Sequence, residues 1–288
     1  KTRTDGHPLM RDDDNSDNEQ DRARLRAVNA PGAEQADPDA PAEEVRQRRR
    51  GVYLLPNLIT TGALFAGFYA IVAGMNGQLI AAALAIFTAF ALDTADGRVA
   101  RRTHTESQFG AEYDSLSDMV AFGVAPALVA FSWGLGSELG RVGWVVTFIY
   151  MACAALRLAR FNVKSESSSF LGLASPSAAA IIACSVWVWS DTFGTEPDML
   201  AAAFMAVITF VVSLLMVSNF EYYSPKALNV KGRVPFITLV LVAFVFAVLL
   251  ADPPRVLLVL FSIYALSGPT KYAWQALRRP RKVVEDAE

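Results

Sequence analysis

The sequence predicts an all-α fold, a polytopic transmembrane helical bundle of about eight spans, and three observations carry that prediction. Of its 288 residues, 53% are hydrophobic, and the mean hydropathy is +0.31; a soluble domain of this size is more polar. The charges are segregated. The first 50 residues are crowded with Asp, Glu and Arg, whereas the chain beyond Val52 runs through long apolar stretches with few charges. Those stretches recur at about the 20 residues an α-helix needs to cross the hydrocarbon core. The formal net charge of -2 averages a polar tail with a membrane body, and it makes no case for nucleic acid.

Residues 1–45 include DDDNSDNEQD and a Pro/Ala/Asp/Glu stretch almost without large apolar side chains. Such a segment cannot bury enough surface to fold, and a disordered polar tail is expected there, with 46–288 as the transmembrane domain that carries any catalysis. No cleavable signal peptide is expected, because the first apolar run begins near Tyr53. The opening on Lys1 in place of Met suggests a processed or incomplete N-terminus. A basic run, Arg46 and Arg48 to Arg50, precedes the first span. Spans are expected at about 55–74, 79–99, 111–133, 142–161, 174–190, 199–218, 234–250 and 255–273. Turn chemistry separates them at Gly74 to Gly77, Gly134 to Gly140, Gly194 to Pro197, and Asp252 with Pro253 and Pro254. Cys153 and Cys184 lie inside apolar runs without a metal-binding pattern and are expected to be ordinary small residues of the interior.

Positive charge orients the spans. The loops after even-numbered spans and the two flanks hold Arg46, Arg48, Arg49, Arg50, Arg101, Arg102, Lys164, Lys226, Lys231, Arg233, Arg278, Arg279, Arg281 and Lys282. The loops after odd-numbered spans hold Arg141 and Arg255, a ratio of 14 to 2. Both termini and the loop 102–109 are therefore expected on the cytoplasmic side of the cell (inner or plasma) membrane, which requires the even span count just derived.

The stretch LDTADGRVARRTHTESQFGAEYDSLSDMV joins spans two and three. Asp93 and Asp96 are three apart, on nearly one helix face, and Gly110, Asp114 and Asp118 repeat every four residues as one stripe. Two helices joined by the loop 102–109 would gather the four carboxylates at one end of the bundle. Clustered carboxylates repel and are costly at membrane depth, so a positive charge must compensate. Oxygen ligands without His or Cys suit a hard cation such as Mg²⁺ or Mn²⁺, and four Asp suffice for two ions clamping a phosphoryl centre. Gly97 and Gly110 let a bulky polar group approach the backbone, and Arg101 can pair with a phosphate. The plainer reading, helix caps paired with Arg98, Arg101 and Arg102 in a solvated loop, fails for Asp118. At 1.5 Å per residue it lies about 12 Å along the helix from Gly110, well inside span three.

The pattern Asp-x2-Asp-Gly-x2-Ala-Arg-x8-Gly-x3-Asp-x3-Asp, running from Asp93 to Asp118, resembles the signature of the CDP-alcohol phosphatidyltransferases at every position. The resemblance implies a helical membrane enzyme, a homodimer, that uses a divalent metal while an alcohol displaces CMP from a CDP-linked lipid. It implies that Asp93, Asp96, Asp114 and Asp118 bind metal and that Asp118 is the base for the incoming hydroxyl. Asp93, Gly97, Ala100, Arg101 and Gly110 would hold the CDP portion of CDP-diacylglycerol.

Three further segments resemble the serine-using bacterial members of that family: PNLITTGALFAGFYAI at 56–71, ALRLARFNV at 155–163 and GLASPSAAA at 172–180. Ala174 and Ser177 depart from it, where the family often has Pro and Ala. The acceptor implied is L-serine, giving phosphatidylserine. Serine carries a carboxylate, which a guanidinium can hold bidentately. Arg157 and Arg160, three apart at the end of span four, are the candidates, with Asn162 and Ser175 offering hydrogen bonds; the plainer role for both Arg is anchoring at lipid headgroups. Asn57 and Thr60, which open span one, either touch the nucleotide or bond locally. His104 reads as a solvated loop residue, Trp144, Trp187, Trp189 and Trp274 as interface-belt residues, and Lys226, Lys231 and Arg233 as attractors of anionic lipid. The segment Glu221 to Lys226 has no chemical account. Rival readings are another acceptor in the same family, glycerol 3-phosphate or an inositol phosphate, and a cation transporter. A transporter wants acids spread through several spans, and these apolar cores hold essentially none.

Overall fold

The computed structural model describes residues 42–103, 105, 107–163, 171–194, 196–222 and 236–278. Among these, helices stand wherever an apolar run was expected: α1 Ala42–Met75, α2 Leu79–Thr103, α3 Gln108–Leu139, α4 Arg141–Val163, α5 Ser175–Thr192, α6 Met199–Val217, α7 Phe236–Ala251 and α8 Pro253–Arg278. The one strand-like pairing among the described residues is a single antiparallel bridge, Leu171 to Glu221. The chain divides into Lys1–Val52 and Tyr53–Glu288. Of the first unit, only 42–52 are described, as the opening turns of α1. The expected disordered tail falls outside the described residues, except for its last four positions, which are helical. His104, Lys164, the stretch Tyr223 to Lys226, Lys231, Arg233, Arg279, Arg281 and Lys282 also lie outside them.

Among the described residues, six segments are long and apolar enough to cross a membrane: Leu55–Met75, Leu79–Thr103, Gln108–Leu139, Arg141–Val163, Met199–Val217 and Pro253–Trp274. The protein is therefore a multi-pass membrane protein. The other two expected spans are the 18-residue α5 and the 16-residue α7. α5 is largely enclosed by protein. It packs on α2, α3, α6 and α8, and Ser175, Ser177 and nearly every residue from Ala178 to Val186 are buried. A helix surrounded by protein can carry serines that a lipid-facing helix could not.

Span three is longer than the expected 111–133 because α3 is not one regular helix. π-helical turns interrupt it at Met119–Val124 and Phe131–Leu135. α1 crosses α3 at close range. A Cβ on Gly67 would stand 2.8 Å from Ala121 Cα, and one on Gly74 would stand 3.1 Å from Val129 Cγ2. Small residues permit such backbone approach in membrane bundles. The core is accordingly alanine-rich, with Ala70, Ala82, Ala83, Ala89, Ala125 and Ala130 fully enclosed around Ile86, Phe122 and Tyr150.

Of the expected belt residues, Trp144 and Trp274 are exposed. Trp187 and Trp189 instead pack against the core, Trp187 beside Phe87 and Trp189 edge-on to Trp133 with ring centroids 5.7 Å apart. The reason is again the enclosed position of α5. Cys184 is buried, Cys153 is half-buried, and both are free thiols. The start of the Glu221 segment now has a structural account. Tyr222 is buried and donates to Ala265 O at 2.9 Å, while Glu221 pairs with Lys271 at 3.3 Å, so the segment fastens the exit of α6 to α8.

Candidate active site

The last turns of α2 carry Asp93, Asp96, Gly97, Ala100 and Arg101, and the first turns of α3 carry Gly110, Asp114 and Asp118. The chain reverses between them and α3 restarts on a cap, the Ser107 hydroxyl accepting from Gly110 N at 3.0 Å. A Ser just before a helical run is the sequence signal for such a cap, and it had not been singled out. The reversal brings three carboxylates together. Asp93, Asp114 and Asp118 offer oxygens within 4.8 Å of one another, all half-buried. Three carboxylates this close need a proton or a cation between them, and an all-oxygen set fits a hard divalent ion.

Asp96, the fourth carboxylate, stands apart from that triple and is the most enclosed, at 4% exposed. Thr60 of α1 donates to it at 2.8 Å, and the same hydroxyl lies 3.1 Å from Pro56 O. Ser117 of α3 donates to Thr60 O at 3.2 Å. Thr60 thus ties α1 to both motif helices. Asn57 and Thr60 also line a cavity of about 360 Å³ with Asp96, Gly97, Ala100, Arg101, Gly110 and Asp114. Four of the five residues expected at the CDP portion (Gly97, Ala100, Arg101 and Gly110) therefore share one wall. Asp93, the fifth, lies with the carboxylate triple. A Cβ on Gly110 would stand 3.1 Å from Ser107 Oγ and 3.4 Å from Asn57 Oδ1, so glycine there keeps the cavity open.

The four candidates for the acceptor are not gathered in one place. Arg157 donates to Ser175 Oγ at 2.7 Å, and its Nε is buried without a hydrogen-bond partner. Its positive charge acts on Asp118 at longer range than an ion pair. Arg160, expected to face the same cavity, turns to Asn219 Oδ1 at 2.7 Å and Val217 O at 3.5 Å, at the end of α6. Asn162 exchanges hydrogen bonds with Ser115 at 3.0 and 3.1 Å, next to Asp114 in the chain. Ser175 owes its position to the segment before α5. Gly172 N donates to Phe220 O and Leu173 N to Leu215 O, each at 2.9 Å. Gly172 has φ +82 and its Cβ would collide with Met216 O, so only glycine fits that crossing.

An all-helical membrane bundle whose acidic, oxygen-only cluster adjoins a polar cavity is the architecture of a membrane-embedded transferase site. The chain belongs to the CDP-alcohol phosphatidyltransferase family, whose model matches residues 53–215. It is 35% identical over 220 residues to a CDP-diacylglycerol–serine O-phosphatidyltransferase of Helicobacter pylori, covering 75% of this chain and 90% of that protein. It is 34% identical over 233 residues to the protein of the same name from Mycobacterium tuberculosis, covering 77% and 79%. A relative of that name in the archaeon Methanocaldococcus jannaschii is 33% identical over 202 residues, covering 70% and 89%.

Proposed function

We propose that this protein transfers the phosphatidyl group of CDP-diacylglycerol to L-serine, giving phosphatidylserine and CMP. The observation that carries the reading is the triple Asp93, Asp114 and Asp118, with oxygens within 4.8 Å of one another, beside the cavity lined by Gly97, Ala100, Arg101 and Gly110. The names of the three relatives support the acceptor.

The cytidine diphosphate occupies that cavity, with its phosphates against Arg101 and the glycine walls and its acyl chains in the bilayer. Asp93, Asp96, Asp114 and Asp118 would hold Mg²⁺ or Mn²⁺, two ions in this reading. When bound, the metal polarises the phosphoryl oxygens and offsets their charge. Serine binds with its carboxylate on Arg157, whose unpartnered Nε and Ser175-bound Nη1 leave it donors to spare. Asn162, bonded to Ser115, and Arg160, bonded to Asn219, stand apart from Arg157 and take no direct part in this reading. Asp118 accepts the proton of the serine hydroxyl as its oxygen bonds to the lipid-side phosphorus, and the bond from that phosphorus to the CMP oxygen breaks. The enzyme works as a homodimer in the cell membrane, with the site and both termini cytoplasmic, as the 14-to-2 distribution of Lys and Arg supports.

A phosphorylated acceptor is the second reading. It wants more cations than Arg157 beside Ser175, and the other described arginine of that stretch, Arg160, is spent on Asn219. The test is CMP release from CDP-diacylglycerol by purified protein. Release is expected with L-serine and Mg²⁺ or Mn²⁺, and not without serine, after EDTA, or from Asp118→Asn. Faster release with glycerol 3-phosphate than with serine would move the protein to the second reading.

A further inference from the structure

The π-helical turn Met119–Val124 begins on the residue after Asp118. Such turns are rare and concentrate at functional sites, and each shifts everything beyond it by one residue relative to a straight helix. Pro126 supplies a local reason. In an α-helix the carbonyl of Phe122 would accept from the amide of residue 126, and proline has none. Phe122 O instead accepts from Tyr150 Oη of α4 at 3.0 Å. Ala125 N reaches back five residues to Val120 O. Tyr150 and Phe122 are both 0% exposed, so no solvent replaces this bond when it is lost.

The bond belongs to a stripe. One turn along α4 from Tyr150, Ala154 lies against Gly123, whose Cβ would stand 3.3 Å from Ala154 Cβ. The next turn brings Arg157 to Ser175 and within electrostatic reach of Asp118. Tyr150, Ala154 and Arg157 follow the i, i+4, i+7 spacing of one helix face, and that face runs beside α3 from Gly123 back to Asp118.

We propose that Tyr150 is a positioning residue for the carboxylate cluster: its hydroxyl pins the π turn of α3 to α4 and so holds Asp118 in register with Asp93, Asp114 and Arg157. The proposal rests on the reading of that cluster as a divalent-metal site.

Full-length protein in detergent micelles is titrated with Mn²⁺, free ion is followed by electron paramagnetic resonance, and thermal unfolding is measured in parallel. Tyr150→Phe keeps the ring and removes the hydroxyl. Its Mn²⁺ dissociation constant should rise about tenfold and kcat for CMP release should fall about tenfold, the scale of one lost buried hydrogen bond. The Michaelis constant for CDP-diacylglycerol should stay within about twofold, because α1, α2 and the start of α3 build the nucleotide cavity. Gly123→Ala, which puts a methyl between α3 and α4 beside the same bond, should weaken Mn²⁺ binding to the same order; it decides the matter where Tyr150→Phe does not fold. Folded variants that bind Mn²⁺ like the unmodified protein overturn the proposal, as does a Michaelis constant for the lipid that moves as much as kcat. If the unmodified protein itself fails to bind Mn²⁺, the metal reading falls, and this inference with it.

Discussion

Arg157 and Arg160 are one helical turn apart, and the folded chain gives them different partners. Arg157 bonds Ser175, and Arg160 caps the end of α6 through Asn219. If Arg157 holds the serine carboxylate, its loss removes a charge-assisted hydrogen bond of about 1.5–3 kcal/mol. Arg157→Ala should then raise the Michaelis constant for serine about ten- to a hundredfold and leave that for CDP-diacylglycerol nearly unchanged. Arg160→Ala should cost the serine constant less than about threefold, a surface-contact effect. Steady-state kinetics with each substrate varied in turn separates the two, and equal effects of both mutants would contradict this division. Residue spacing identified the pair but could not divide it, because positions i and i+3 differ by only about 60° around a helix. What divides them is the position of α5 and of the end of α6. Thr60 was legible in part: local bonding was one of its two expected roles, and its bond to Asp96, 36 residues away, was not among them.

Among the elements, α1, α3 and α5 show where a helix is more than an apolar run. α1 touches α3 through Gly67 and Gly74, seven residues apart. Gly67→Ala would put a Cβ 2.8 Å from Ala121 Cα, against backbone that has no flexible end to move. It should cost about 1–3 kcal/mol as overpacking. Gly62→Ala, whose Cβ would meet only Leu92 Cδ1 at 3.4 Å, should stay within about 0.5 kcal/mol. Thermal unfolding of both variants in the same detergent checks the contrast, and equal melting temperatures would refute the close crossing. Hydropathy placed a helix at each of the eight expected spans, though α1 starts well before 55 and α3 runs on past 133, and it could not foresee the π turns in α3. The first of them has the missing amide of Pro126 and a hydroxyl from another helix on Phe122 O, and the second contains the non-helical Gly134. Nor could it foresee that α5 is enclosed, so that its two tryptophans, expected at the membrane interface, also pack partly on the core.

At the scale of the whole molecule, the arrangement is a membrane bundle with its polar chemistry gathered where α2 turns into α3. In the proposed topology that end faces the cytoplasm, and a labelling experiment tests it. In a background without Cys153 and Cys184, Thr103→Cys should resist a membrane-impermeant thiol reagent in intact cells and react once they are permeabilised. Labelling from outside would invert the topology.

By itself the sequence determined that the chain is a helical membrane protein and roughly where its helices lie, and it singled out Asp93, Asp96, Asp114 and Asp118 as the proposed chemical centre. These follow from local quantities, the length and polarity of each run and the spacing of residues on a single helix face. Only the tertiary structure decided which carboxylates meet, that Asp96 is held by Thr60 while the other three converge, and that Arg157 and Ser175 pair across α4 and α5. Those outcomes depend on the rotation and crossing of helices about one another. They are set by contacts between residues far apart in the chain, such as Gly67 on Ala121, Tyr150 on Phe122 and Gly172 on Met216, and no periodicity within one helix encodes such contacts.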